Sequence, residues 1–131
     1  MIDPAFPAVD GIIYLHDVSI TEFGGASGLR DRGALEASVA RVHQIIAYAE
    51  EKHVTIFDLA TAICASIIRN HPFVDGNKRA GFIALFATLD MNGLYLDASD
   101  RDAERMTLAL AAGDIDEEAF RDWVAGHSYQ V

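Results

Sequence analysis

Two largely apolar runs, Ile56 to Ile68 and Ala80 to Leu89, are separated by the polar break from Arg69 to Arg79, and no other feature limits the fold so much. Both runs have helical spacing. Ile56, Leu59, Ala60, Ile63 and Ile67 share one face of the first, and Phe82, Leu85, Phe86 and Leu89 share one face of the second. Thr55 with Asp58 has the pattern of a capping box at the start of the first run, and Asn92-Gly93 closes the second. Pro72 restricts His71 to extended backbone, so the first helix must stop there and leave the His71 side chain at its C-terminus. The second resumes at Asn77 or Lys78. Being the most apolar segments, the two predict the centre of a helical bundle.

The flanking segments predict four more helices. Val9, Ile12, Ile13, His16, Ile20 and Phe23 recur at steps of three and four, after Pro7 and before Gly24-Gly25, although Gly11 weakens that helix by about 1 kcal/mol. Ala26 to Arg30 form a glycine-bearing turn. Asp31 is the predicted N-cap of a helix that turns Leu35, Val39, Val42, Ile46 and Ala49 inward. Tyr95 and Leu96 suit a short extended piece, and Ser99 with Asp102 opens a helix to about Ala112. Asp116 caps a last one with Phe120, Trp123, Val124 and His127 on one face. The expected fold is all-α, a small bundle of about six helices in a single domain spanning residues 1–131.

Composition bounds the function. A net charge of −10 argues against a surface that grips a nucleic-acid backbone, which needs clustered cations. No apolar run reaches the roughly 18 residues of a membrane span, and Met1-Ile2-Asp3-Pro4 lacks the basic start of a signal peptide, so a cytoplasmic protein is expected. The one cysteine, Cys64, lies on an apolar helix pattern and reads as a small buried residue. His16 reads as a hydrogen-bonded structural residue. His43, His53 and His127 show no partner spacing, and no zinc site is expected.

Against this acidic background Arg69, Lys78 and Arg79 cluster at the break, where an anion would go. Gly76 and Asn77 permit a sharp turn with free backbone N–H groups at a helix N-terminus, an anion pocket. Lys78 and Arg79 in the first turn oppose the helix dipole, an arrangement that a bound polyphosphate would make favourable. Asp75 is placed to hold Mg2+ through one carboxylate, with phosphate oxygens and waters completing the shell. His71 has a pKa range suited to taking a proton from a hydroxyl. These residue types together form a set for phosphoryl or nucleotidyl transfer, which depends mainly on positioning and charge stabilisation.

The stretch His71-Pro72-Phe73-Val74-Asp75-Gly76-Asn77-Lys78-Arg79 resembles the motif of the Fic/Doc family, and its Doc (death-on-curing) branch more closely because of Lys78. Leu15-His16-Asp17, Phe23-Gly24-Gly25, Arg41-Val42, Arg69 and Ala112-Gly113-Asp114-Ile115 follow the order of features along Doc toxins. The resemblance implies His71 as the base on a target hydroxyl, Asp75 as the Mg2+ ligand, Gly76 and Asn77 lining the anion pocket, and Lys78 and Arg79 on ATP phosphates, with Arg69 assisting. It also implies a toxin kinase that phosphorylates elongation factor Tu and is restrained by a separate Phd-like antitoxin.

Lys78 replaces the glycine with which AMP-transferring members seat the alpha phosphate, and Phe82 stands where they carry a second arginine. Gamma-phosphoryl transfer is therefore the leading expectation, with AMP transfer and a weakly catalytic partner-binding module as alternatives. Self-inhibited members carry Ser or Thr four residues before an inhibitory glutamate. None of Glu22, Glu36, Glu50, Glu51, Glu104, Glu117 and Glu118 has one, so restraint is expected from another chain, with basic residues facing this acidic surface.

Overall fold

A computed structural model describes residues 4–49 and 53–131. The chain start read at Met1 to Asp3, and Glu50 and Glu51, lie outside the described residues. Six helices follow in order: α1 (Val9–Phe23), α2 (Arg32–Ala47), α3 (Ile56–Asn70), α4 (Asn77–Met91), α5 (Asp100–Ala112) and α6 (Glu117–Gly126). Two short strands, β1 (Leu94–Leu96) and β2 (Ser128–Gln130), complete the described elements. The fold is a small all-α domain with one minor sheet.

The predicted caps form. Asp31, Ser99 and Asp116 each accept the N–H three residues on, and Thr55 and Asp58 complete a reciprocal capping box. These bonds satisfy N–H groups that the helices cannot pair internally.

Helix α3 is buried from Leu59 to Ile68 because it serves two cores. Its Leu59, Ile63 and Ile67 pack with Ile12 of α1 and Leu35, Val39 and Val42 of α2. Its Ala60, Cys64 and Ile68 pack with Leu85 and Leu89 of α4, Leu110 of α5 and Phe120 and Val124 of α6. Fully burying one residue such as Ile63 contributes about 1.5–3 kcal/mol. Burial also pushes the Cys64 thiol up, which keeps it protonated and unreactive.

Helix α4 corrects the apolar face expected for it. The buried positions are Asn77, Ala80, Gly81, Ala84, Leu85, Thr88 and Leu89, whereas Phe82 and Phe86 are only half-buried against the second core. Small residues lie at the centre because α4 crosses α3 closely. A Cβ built on Gly81 would stand 2.9 Å from the Cys64 carbonyl oxygen and 3.1 Å from Ile68 Cγ1. Leu85 and Leu89 are buried as expected, but weighting Phe above Gly turns the expected face away from Gly81 and Ala84.

Other expectations need correction at element ends. Phe23 is 71% exposed, Ile46 is only half-buried, and Ala49 lies beyond the end of α2. His127 is exposed and caps α6, because Ser128–Gln130 turns back to pair antiparallel with Leu94–Leu96, with Tyr95 opposite Tyr129. Three residues are too few for a periodicity, so β2 had no readable signature. Finally, His71 is not extended but left-handed, at φ 47° and ψ 56°. Pro72 does exclude the right-handed helical region, and the Arg30 guanidinium described below holds the alternative turn.

Candidate active site

The break between α3 and α4 is braced by a second segment, the arm between α1 and α2. Val74 N–H donates to Gly28 O at 3.0 Å, and the N–H groups of Arg30 and Asp31 both donate to Pro72 O at 2.7 and 2.9 Å. Leu29 and Phe73 form an isolated antiparallel bridge. The arm can lie this close because Gly25 and Gly28 have positive φ, and a Cβ on Gly25 would meet Asp75 Oδ2 at 2.9 Å.

His71 is exposed and held through its backbone from two directions. Its N–H donates to Ile67 O at 3.1 Å, and its carbonyl accepts from Arg30 Nε at 2.7 Å and from Arg30 Nη2, which also reaches Asn70 O at 3.1 Å. The Arg30 charge thus serves the unpaired carbonyls at the C-terminus of α3, where a cation is favoured. The His71 ring meets Asn77, whose Nδ2 lies 3.2 Å from Nδ1. Asn77 itself is buried, its Oδ1 accepting Phe73 N–H at 2.9 Å and its Nδ2 donating to Phe73 O at 3.0 Å. Its side chain therefore staples the loop, while its backbone begins α4.

Beneath the loop, buried His16 stacks on Phe73 with centroids 3.8 Å apart and planes 10° from parallel. Its Nε2 donates to Asp75 O at 2.8 Å. The other nitrogen lies 3.7 Å from Asp17 Oδ1, an ion-pair distance too long for a hydrogen bond, and has no hydrogen-bond partner. His16 is structural, as its sequence context implied, and the structure it supports is the motif loop.

Asp75 lies at the surface. Its Oδ2 accepts Ala26 N–H at 3.1 Å and its Oδ1 accepts Gly76 N–H at 2.8 Å. These two bonds, from Ala26 first and then Gly76, hold the carboxyl below its usual range, and the Arg79 charge adds to them. Gly76 is left-handed at φ 74° and leaves the N-terminus of α4 without a side-chain cap or an acid in its first turn. The first turn thus keeps backbone donors available for an anion.

The two motif cations diverge. Lys78 is exposed, lines a cleft of about 1100 Å³ together with His71 and Arg69, and has no ion-pair partner among the described residues. The far wall is built by Arg105 and Leu108 of α5 and by Gly113 to Asp116. Arg79 instead turns toward the end of α1, where Nη1 donates to Gly24 O at 2.9 Å and the guanidinium lies 6.0 Å from the Phe23 ring centroid. Arg69 reaches the cleft but pairs with Glu117 at 2.7 Å, and Arg41 pairs with the same carboxylate at 2.8 Å. Burial raises the Glu117 pKa, and the hydrogen bonds and charges of the two arginines outweigh it, leaving a net shift down.

The site therefore joins His71, Arg69 and, from the first turn of α4, Lys78 at one cleft, whereas Gly76, Asn77 and Arg79 do not line it and Asp75 lies on the arm side of the same loop. A family model for the Fic/DOC family matches residues 6–89, which span α1 through nearly all of α4. The chain belongs to the Fic/DOC family. It is 37% identical over 107 residues to a protein named Toxin Doc from Mycolicibacterium smegmatis, covering 79% of this chain and 81% of that one. It is 32% identical over 111 residues to Protein kinase doc of Escherichia phage P1, covering 85% and 86%. The matched Fic/DOC region holds the motif and the arm, whereas the α5–α6 wall of the cleft lies beyond it.

Arg30 and Glu117 escaped sequence reasoning. Both lie outside the motif, Arg30 41 positions from His71 and Glu117 48 and 76 positions from Arg69 and Arg41. The available signal was weak: a charge next to a predicted cap, at Arg30 before Asp31 and at Glu117 after Asp116.

Proposed function

We propose that this Fic/DOC protein is a Doc-like toxin kinase that transfers the gamma phosphate of ATP to a Ser or Thr hydroxyl of a target protein, with elongation factor Tu as the expected target. The observation that carries this reading is the meeting of His71 and Lys78, in the first turn of the uncapped helix α4, at one cleft large enough for a nucleotide. The names of the two relatives, a toxin and a protein kinase, support it.

In this reaction the target oxygen attacks the gamma phosphorus, and the bond from that phosphorus to the oxygen bridging the beta phosphate breaks. ADP leaves, and the hydroxyl proton passes to His71. The free N–H groups of α4 and Lys78 hold phosphate oxygens, and Gly76 lets the chain turn beneath them. Arg69 adds charge at the cleft edge. Arg79 holds the arm through Nη1, which leaves Nε and Nη2 as its donors toward phosphate.

The donor set at Asp75 fits Mg2+. Each carboxylate oxygen accepts one N–H and keeps acceptor capacity facing solvent, and no cluster of three His, Cys, Asp or Glu occurs among the described residues. A site of one carboxylate, waters and substrate phosphates is the usual form for this ion. Bound there, Mg2+ supplies neutralisation of phosphate charge.

Gamma rather than alpha transfer is supported by Phe82, which packs against the second core where a clamp for outer phosphates would need an arginine. Its restraint is assigned to a separate Phd-like antitoxin in the cytoplasm, with basic residues facing this acidic chain. No described helix is long and apolar enough to cross a membrane.

The test is incubation of the protein with a bacterial lysate and ATP labelled on either the gamma or the alpha phosphate. Gamma label on a protein band is the expected result, and its identity names the target. Alpha label would mean AMP transfer, and no label would mean a binding module. His71→Ala is expected to abolish labelling and growth arrest while keeping the fold, since the side chain is exposed.

A further inference from the structure

Asn77 has only one workable amide orientation. Its Oδ1 faces Phe73 N–H and its Nδ2 faces Phe73 O, at 2.9 and 3.0 Å, and reversing the amide would set donor against donor and acceptor against acceptor. Phe73 is 1% exposed, so neither mismatch at its backbone could be relieved by water. The second hydrogen of Nδ2 is thereby aimed at His71 Nδ1, 3.2 Å away, which can only accept. A neutral imidazole carries one proton, and with Nδ1 accepting it resides on Nε2.

We propose that Asn77 locks His71 in the Nε2–H tautomer in the resting site, and that a nucleotide phosphate oxygen releases it by taking over the Asn77 N–H. The inference rests on the kinase reading for what binds, and extends it to how the base is armed. In the locked ring Nε2 already bears a proton and the Nδ1 lone pair is occupied, so neither nitrogen is free to receive the proton of a hydroxyl. Once Asn77 donates to phosphate, Nδ1 is free to take that proton while Nε2 keeps its own. The base is then available only when nucleotide occupies the pocket. His71 is exposed, so its ring has room to turn, and Asn77 is a positioning residue acting through it.

The experiment is imidazole 15N–1H correlation NMR on the uniformly 15N-labelled protein above the histidine titration, with His71→Gln assigning the His71 signals. In the free protein the ratio of Nε2–H to Nδ1–H should exceed that of the urea-unfolded chain, which carries histidine's own preference for Nε2–H, by about fivefold, the bias that one ordinary net hydrogen bond supplies. Asn77→Asp should shift the ring toward Nδ1–H, because a carboxylate there demands a donor. If that variant does not fold, the unmutated protein still decides the resting state. Saturation with Mg2+ and a non-hydrolysable ATP analogue should move the Nδ1 resonance as the Asn77 bond is lost.

A tautomer ratio in the free protein no higher than that of the unfolded chain overturns the proposal. So does an unchanged ring when the amides of residues 77–79 report bound nucleotide. Amides that never respond to nucleotide would instead remove the kinase reading, and with it the release, while the free-protein tautomer would still stand or fall alone.

Discussion

Nε2 of His16 on α1 donates to the backbone carbonyl of Asp75 at 2.8 Å, across 59 positions of sequence, and the same ring stacks on Phe73. The motif loop is thus seated on α1. His16→Ala removes the stack, the bond and a buried volume together. Urea unfolding should show a loss of about 2–4 kcal/mol. A loss below about 1 kcal/mol would mean that the loop holds its shape without α1.

Arg30 offers a test of positioning from the other side of the loop. Its guanidinium binds the carbonyls of Asn70 and His71 but touches no cleft-lining cation. With Arg30→Ala, phosphotransfer should fall about tenfold, in line with the loss of a charge-assisted hydrogen bond, while nucleotide affinity stays unchanged. Equal losses in both would place Arg30 in nucleotide binding instead.

Gly81 and Gly11 should respond with opposite signs to the same substitution. Helix propensity alone favours alanine at both by about 1 kcal/mol. At Gly11 the added carbon meets nothing closer than Pro7 Cβ at 3.9 Å, so Gly11→Ala should stabilise by about 0.5–1 kcal/mol. At Gly81 it would stand 2.9 Å from the Cys64 carbonyl oxygen, and Gly81→Ala should destabilise by about 1–3 kcal/mol. Urea midpoints at constant m-value measure both.

The acid limb of stability should carry the mark of Glu117. Its folded pKa lies below the unfolded one, because the bonds from Arg41 and Arg69 outweigh burial. The stabilisation is therefore present above the ordinary glutamate value of about 4.3 and lost as pH falls through the lower folded value. Asp58 has the same sign, since its bonds to Thr55 and Arg121 outweigh its burial. Glu117→Gln should flatten the decline of stability below about pH 4.3, measured by denaturation at stepped pH. An unaltered slope would show that the two arginines contribute nothing through this carboxylate.

Much of the molecule was legible in the chain. The caps at Asp31, Thr55, Ser99 and Asp116 depend on a side chain reaching an N–H three residues on. The α3 break was readable because Pro72 excludes the right-handed helical region at His71, and the start of α4 was bracketed at Asn77 or Lys78. The buried face of α4 was not, because how closely two helices approach depends on the partner surface, and Gly81 matters only opposite the Cys64 carbonyl.

By itself, then, the sequence determined six helices, their caps and the charged and polar groups concentrated between Arg69 and Arg79. Tertiary structure decided where those groups are placed. It sent Lys78 to the cleft and Arg79 to Gly24 O, tied Arg69 to Glu117, turned His71 left-handed under Arg30, and set His16 beneath Asp75. The physical reason is separation along the chain. Each of these side-chain bonds joins residues 41 to 59 positions apart, beyond the reach of any helical period or cap, so they exist only once the helices have packed.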